Sequence, residues 1–309
     1  MSILIIGSIG LDKIENPFDS TERTLGGSAS YLALSSSYFG QDVSLVSIIG
    51  NDFPDKYLSL FQQRSIRTHH LQRSNDFPTM HWHGKYGMDM RYHTTELLEL
   101  NSLIEFNPVL PKECKDREYV AIGGFMPKLQ GELIDQLGDC TKMITLDTTR
   151  YWIENHREDL LDVLHKVDVL SLDNIEARLL SNEFSIAKAA KKILSYGPRY
   201  LIINKEGNGS LLFYDKQVFF SPGLPLLQSF DPTGLCDSFI GGFLGYIAKV
   251  DDVSLPSIKR AMIYGSTISS FSTEEFGVRG ITNLSEEQID DRMQEFIEMV
   301  QFEINIEND

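Results

Sequence analysis

Six short apolar runs rich in β-branched residues recur along the chain, at residues 3–6, 43–49, 119–122, 143–146, 167–172 and 200–203. Each is hydrophobic at nearly every position, without the alternation of a strand that keeps one face in water. Strands of that kind are covered on both faces, as in a parallel sheet between two helical layers. Helical patterns fill the intervals, at 28–39, 54–64, 132–137, 156–165 and 186–196. Asp52 with Pro54 marks one helix start, and Gly197-Pro198 marks a stop. Ser285-Glu286-Glu287-Gln288 reads as a capping box, followed by Ile289, Met293, Phe296, Ile297 and Val300 on one face. The pattern predicts an α/β chain of βαβ units around a mostly parallel central sheet flanked by helices. Ligands of such sheets bind at the carboxyl ends of the strands.

Two stretches interrupt the alternation. Residues 12–25 are polar, and residues 79–92 alternate, with Gly84 and Gly87 spaced as in a hairpin. Together they predict a small β lid over the open end of the sheet. Gly207-Asn208-Gly209 links the run at 200–203 to one at 210–214, and 217–220 follows as an antiparallel edge. The chain shows no internal repeat and no interdomain linker, so 1–309 reads as a single domain with lid segments near 12–25 and 79–92.

The segment Phe230-Asp231-Pro232-Thr233-Gly234-Leu235-Cys236-Asp237-Ser238-Phe239 is the most informative about chemistry. A polar turn runs into an apolar helix with a carboxylate in its first turn. Free N–H groups at such a start converge and favour an anion, and Asp237 beside them is placed to take a proton from a hydroxyl. An anion cradle beside a base is what phosphoryl transfer to an alcohol requires. Asp237 is equally consistent with a carboxylate favoured there only by the helix dipole. Gly241-Gly242, one turn on, suit either close ligand approach or helix packing.

Gly26-Gly27 precede the first long helix, and Asp12 follows the first strand; a carboxylate there suits the vicinal hydroxyls of a sugar, or is simply solvated. Asp173 and Glu176 open a short helix at i,i+3 spacing, as ligands of Mg²⁺ or as a helix cap. His81, His83 and His93 lack the further ligands that fix a zinc site and read as lid-surface histidines. Gly7-Ser8-Ile9-Gly10 lacks the third glycine of a dinucleotide fingerprint.

A net charge of −16 argues against nucleic acid as a partner. It also means that an anionic nucleotide needs amides or a metal to hold it. Cys114, Cys140 and Cys236 are too far apart in sequence to suggest a zinc motif and fit a reducing compartment. Residues 1–11 are apolar but lack a basic leader, and no apolar run reaches membrane-spanning length. The expectation is a cytoplasmic protein without a membrane partner.

Taken in this order, the motifs resemble the ribokinase-like carbohydrate kinases of the phosphofructokinase B type, over nearly the whole chain. Gly7, Asp12, Gly26-Gly27 and Ser47-Ile48-Ile49-Gly50-Asn51-Asp52-Phe53 look like the N-terminal signature of that family. The stretch from Asp231 to Phe239 is similar to its C-terminal signature, D-T/P-T-G-A-G-D-x-F. The branch carrying G-G-S-A-x-Y is the nearest in pattern. The resemblance implies a ribokinase-like fold with a β lid, and transfer of a phosphoryl group from ATP, with Mg²⁺, to a small sugar or nucleoside acceptor. By position it implies Asp237 as base, with Gly234, Leu235 and Cys236 forming the anion hole. Asp12, Gly26 and Gly27 would bind the acceptor, Glu206, Gly209 and Thr233 the nucleotide, and Asp173 and Glu176 the metal. Pairing of two copies through the lid is a further expectation.

Four departures cluster on the donor side. Leu235-Cys236 replace Ala-Gly, Asp173 replaces Asn and Glu206 replaces Gly. Each added carboxylate beside a triphosphate costs on the order of 1 kcal/mol at a surface-like dielectric unless a metal offsets it. A carbohydrate-binding homologue without turnover is the alternative that these departures favour.

Overall fold

The computed structural model describes residues 1–90, 93–205, 207–227 and 229–300. Its strands are β1 (Ser2–Ile6), β2 (Gly10–Glu15), β3 (Ser20–Gly26), β4 (Asp42–Ile49), β5 (Arg67–Arg73), β6 (His81–Tyr86), β7 (His93–Glu99), β8 (Tyr119–Ile122), β9 (Met143–Asp147), β10 (Val169–Asp173), β11 (Tyr200–Asn204), β12 (Ser210–Tyr214) and β13 (Gln217–Ser221). Among the described residues, nine strands make one sheet in the order β13-β12-β11-β10-β9-β8-β1-β4-β5. All neighbours pair in parallel except β11 with β12 and β12 with β13.

Side-chain alternation divides the apolar runs between two cores. Ile3 and Ile5 face the helices Ser28–Ser37, Leu235–Val250 and Leu255–Ser272, while Leu4 and Ile6 face the opposite layer. That second layer contains the helices Pro127–Ile134, Arg157–Leu164, Asn174–Ser181 and Ile186–Leu194. The continuous hydrophobicity of the six runs thus has its physical cause in burial on both sides. The Gly241-Gly242 pair packs, Gly241 against the helix Ser28–Ser37 and Gly242 against Leu255–Ser272. Gln288 and Ser285 exchange the hydrogen bonds of the expected capping box.

The remaining strands form the lid, in the order β3-β2-β6-β7. The lid, one helix and one edge strand differ from the sequence reading. The second lid segment continues through β7 to Glu99, and Gly84 sits at a bulge inside β6, not in the turn. The helix expected at 132–137 is Pro127–Ile134, started by its proline at the first helical position. Strand β5 was not anticipated, because RTHHLQR lies at the sheet edge and lacks an apolar run. Among the described residues no helix is long and apolar enough to cross a membrane.

Candidate active site

Asp231 is buried, and its carboxylate shapes the turn before the helix Leu235–Val250. Its Oδ1 accepts the Thr233 N–H at 2.9 Å, and its Oδ2 accepts the Gly277 N–H at 2.7 Å. Gly234 then adopts φ 74°, immediately before the first helical residue. A side chain there would run into the ring of Tyr31. The N–H groups of Gly234, Cys236 and Asp237 have no protein partner among the described residues. Leu235 differs: its N–H donates to the Pro232 carbonyl at 3.2 Å, so the anion hole expected of it loses one donor.

Asp237 stands in the first turn, with an Oδ1 shut off from water and without a hydrogen-bond partner. Its carboxyl meets that of Asp147, the last residue of β9. Burial and the neighbouring carboxylate hold Asp147 well above the usual range, and burial raises Asp237 too. Asp173 and Glu176 complete the acidic group, and all four raise the half-buried thiol of Cys236, after desolvation. Asp147 was missed in the sequence. Its only signal was a carboxylate closing an apolar strand, where such sheets place ligands.

Asp173 and Glu176 form a complete capping box. Asp173 Oδ1 accepts the Ile175 and Glu176 N–H groups at 2.7 Å each, and Glu176 Oε2 accepts the Asp173 N–H at 2.9 Å. Glu176 Oε1 accepts the Arg150 N–H at 3.0 Å. The cap alternative is therefore made, and the two carboxylates that make it act on Asp147 as like charges.

On the acceptor side, Asp12 lies within lid strand β2, not at the end of β1. A side chain at Gly26 would collide with its carboxylate, and Gly27 starts the helix Ser28–Ser37. Burial and Asp231 push the Asp12 carboxyl up to about 8, partly offset by the Gly27 and Trp82 N–H groups. Its Oδ1 and the hydroxyl of Tyr31 are both buried without partners. Tyr31 is itself raised by burial and by the charges of Asp231, Asp12 and Asp237, which therefore lie within electrostatic reach of its hydroxyl. The lid closes on the turn at two points: Tyr86 Oη lies 3.0 Å from Thr233 Oγ1, and Asn16 Nδ2 donates to the Phe230 carbonyl at 2.7 Å. The histidines are held in the lid: His81 bonds the Leu11 carbonyl, His83 lies 3.0 Å from Glu15, and His93 packs on Trp82 and Tyr86.

A cavity of about 410 Å³ adjoins the turn on its other side, lined by Met90, Gly209, Leu224, Pro232, Leu235 and Ser266 among others. Gly209, expected to contact the nucleotide, lines this cavity, and Leu235 contributes a wall. Thr233 instead faces the lid, and Glu206 lies outside the described residues.

Residues 6–284 match the family described as pfkB family carbohydrate kinase. The chain belongs to that family. This carbohydrate kinase is 26% identical to a cytidine kinase of Thermococcus kodakarensis over 261 residues, covering 80% of this chain and 88% of the relative. Its fold resembles the Burkholderia thailandensis nucleoside kinase solved with inosine, with a TM-score of 0.80 and 17% identity, covering 96% of this chain and 99% of that one. An E. coli protein described as a ribokinase II, solved with ATP and Mg²⁺, gives a TM-score of 0.78 at 17% identity, covering 96% and 99%. The ribokinase-like architecture and the kinase class expected from the sequence are thereby established.

Proposed function

We propose that this kinase transfers a phosphoryl group from ATP to a hydroxyl of a small sugar or nucleoside, with Asp237 as the general base. The observation that carries the reading is a set of three buried, unpartnered polar atoms, Asp12 Oδ1, Tyr31 Oη and Asp237 Oδ1, with both carboxylates in electrostatic reach of the Tyr31 hydroxyl. Buried polar atoms are left unpaired at a cost of about 1–3 kcal/mol each, which a hydroxylated ligand would recover. Asp12 and Tyr31 then orient the acceptor, and Asp237 accepts its proton. The free N–H groups of Gly234, Cys236 and Asp237 stabilise negative charge on the group in flight.

Asp147, Asp173 and Glu176 act on one another as like charges, which a divalent cation shared with the phosphates of a bound nucleotide would offset. Asp147 and the Asp173 oxygen not used in the cap would hold Mg²⁺. ATP bound in the cavity beside Gly209 supplies the phosphoryl group, and Mg²⁺ offsets its charge. The relatives named for cytidine and inosine support a nucleoside among the acceptors to be tried. The edge strand β7, exposed along its length and carrying Leu97 and Leu98, would join two copies through their lids. We place the protein in the cytoplasm.

Turnover of a panel of sugars and nucleosides with Mg²⁺-ATP tests the reading. Against the acceptor found, Asp237→Asn should lower kcat by about 10²–10⁴-fold, the range for loss of a general base, while nucleotide binding is kept. A variant that retains most of its turnover would remove Asp237 from the mechanism.

A further inference from the structure

At the far edge of the large sheet, away from the turn at Gly234 in the strand order, two consecutive histidines of β5 face one carboxylate. His69 Nε2 lies 3.1 Å from Glu113 Oε1, and His70 Nε2 lies 2.7 Å from the same oxygen. Neighbouring residues of a regular strand point to opposite faces. Here the β4–β5 register shifts between Ser44↔Arg67 and Val46↔His70, so β5 carries an extra residue beside His69. Such a bulge re-aims a side chain, and it lets both imidazoles project to one side with ring centres 3.9 Å apart.

The carboxylate is held from behind. Arg117 Nε donates to the Glu113 carbonyl at 2.8 Å, fixing the turn Lys112–Lys115 that carries Glu113. Arg117 Nη1 bonds Asp42 at 2.6 Å, and Arg67 Nε bonds the other oxygen of Asp42 at 2.8 Å. The starts of β4 and β5 and the Glu113 turn are thus tied to one aspartate.

His70 is unsatisfied as it stands. Its Nε2 is shut off from water, and its 2.7 Å approach to Glu113 lacks the direction of a hydrogen bond. A lone pair or a proton on this nitrogen occupies the same in-plane direction, and neither is aimed at that oxygen, which leaves Nε2 to a further partner. One ligand atom from each of His69, His70 and Glu113 can be chosen so that all lie within 4.8 Å of one another.

We propose that His69, His70 and Glu113 bind a divalent transition-metal ion of the zinc class, distinct from the Mg²⁺ of phosphoryl transfer. Two imidazoles and one carboxylate are a usual three-ligand set for Zn²⁺, whose tetrahedral bonds of about 2.0–2.2 Å set neighbouring ligand atoms about 3.3 Å apart. The observed 2.7 and 3.1 Å contacts need to open by only a few tenths of an ångström. His69 and Glu113 are about half exposed, which allows that movement and leaves the fourth position to water. The ion would clip the edge strand β5 to a turn distant in sequence, and so cover part of an open sheet edge.

Calorimetric titration of the full chain with Zn²⁺, in excess Mg²⁺ to occupy the carboxylates near Asp237, tests this. One Zn²⁺ should bind per chain at micromolar concentration and raise the melting temperature. His69→Ala, at an exposed position with little risk to folding, and Glu113→Gln should each weaken binding by at least about tenfold. Glu176→Gln should leave it unchanged. Absence of binding at micromolar Zn²⁺, binding that survives both His69→Ala and His70→Gln, or binding that disappears with Glu176→Gln would each overturn the assignment.

Discussion

The ring of Tyr31 lies across the α-carbon of Gly234, so closely that a methyl group there would occupy the space of the ring. The contact joins the first helix of the chain to the N-terminus of the helix that carries Asp237. It leaves the Tyr31 hydroxyl buried without a partner, in the proposed acceptor site.

Gly234→Ala meets two penalties, the collision with Tyr31 and the positive φ of 74°. Strain of this kind costs about 1–3 kcal/mol, readable as a lower urea midpoint. Turnover should fall by up to about 10²-fold, because the strained turn aims the N–H that alanine keeps away from the group in flight. In the Tyr31→Ala background the collision is relieved, so the stability loss should shrink while the turnover loss remains.

Asp12 should set a pH dependence of stability. Its folded carboxyl is pushed up to about 8, against about 3.9 in an unfolded chain. Between those values the folded form holds a proton that the unfolded form has released. Stability therefore falls as pH rises through this window. Asp12→Asn removes that share, so the variant should match the parent near pH 4 and exceed it by at least about 1 kcal/mol near pH 8. Urea midpoints across the range provide the check, and parallel curves would show that Asp12 is already ionised in the fold.

At Asp173 the two roles separate by substitution. Asparagine caps a helix as well as aspartate does, so Asp173→Asn should change stability by less than roughly 0.5 kcal/mol, whereas Asp173→Ala should cost about 1 kcal/mol. Removing the charge also takes away one of the causes that raise Asp147 and Glu176. The acidic limb of a pH–rate profile should then move to lower pH in the asparagine variant. A limb that stays in place would separate Asp173 from the reacting carboxylates.

Tyr86→Phe cuts one of the two links between lid and turn while keeping the ring. Loss of a hydrogen bond worth about 1 kcal/mol predicts about a fivefold fall in kcat/KM. The effect should lie in KM for the acceptor, since the lid covers that side. A change confined to kcat would mean that Thr233 acts in the transfer step instead.

The parallel sheet could be read from residues 3–6, 43–49 and their successors because burial on both faces leaves a local mark, an uninterrupted apolar run. Strand β5 left no such mark, since its partners lie on one side only and its histidines and arginines answer to groups in other elements. The candidate site was legible where its residues are contiguous, from Asp231 to Asp237. It was not legible at Asp147, whose neighbours Asp237 and Glu176 are remote in sequence.

The sequence by itself determined the alternation of strands and helices, the glycine and capping residues at the helix starts, and the identity of the carboxylates. Those properties depend on near neighbours along the chain. Only the tertiary structure decided that Leu235 donates its N–H to Pro232, that Asp147 meets Asp237, and that polar atoms of Asp12, Tyr31 and Asp237 stay buried and unpaired. Hydrogen bonding and burial are settled by what each atom faces across the fold, and packing between distant segments selects those partners.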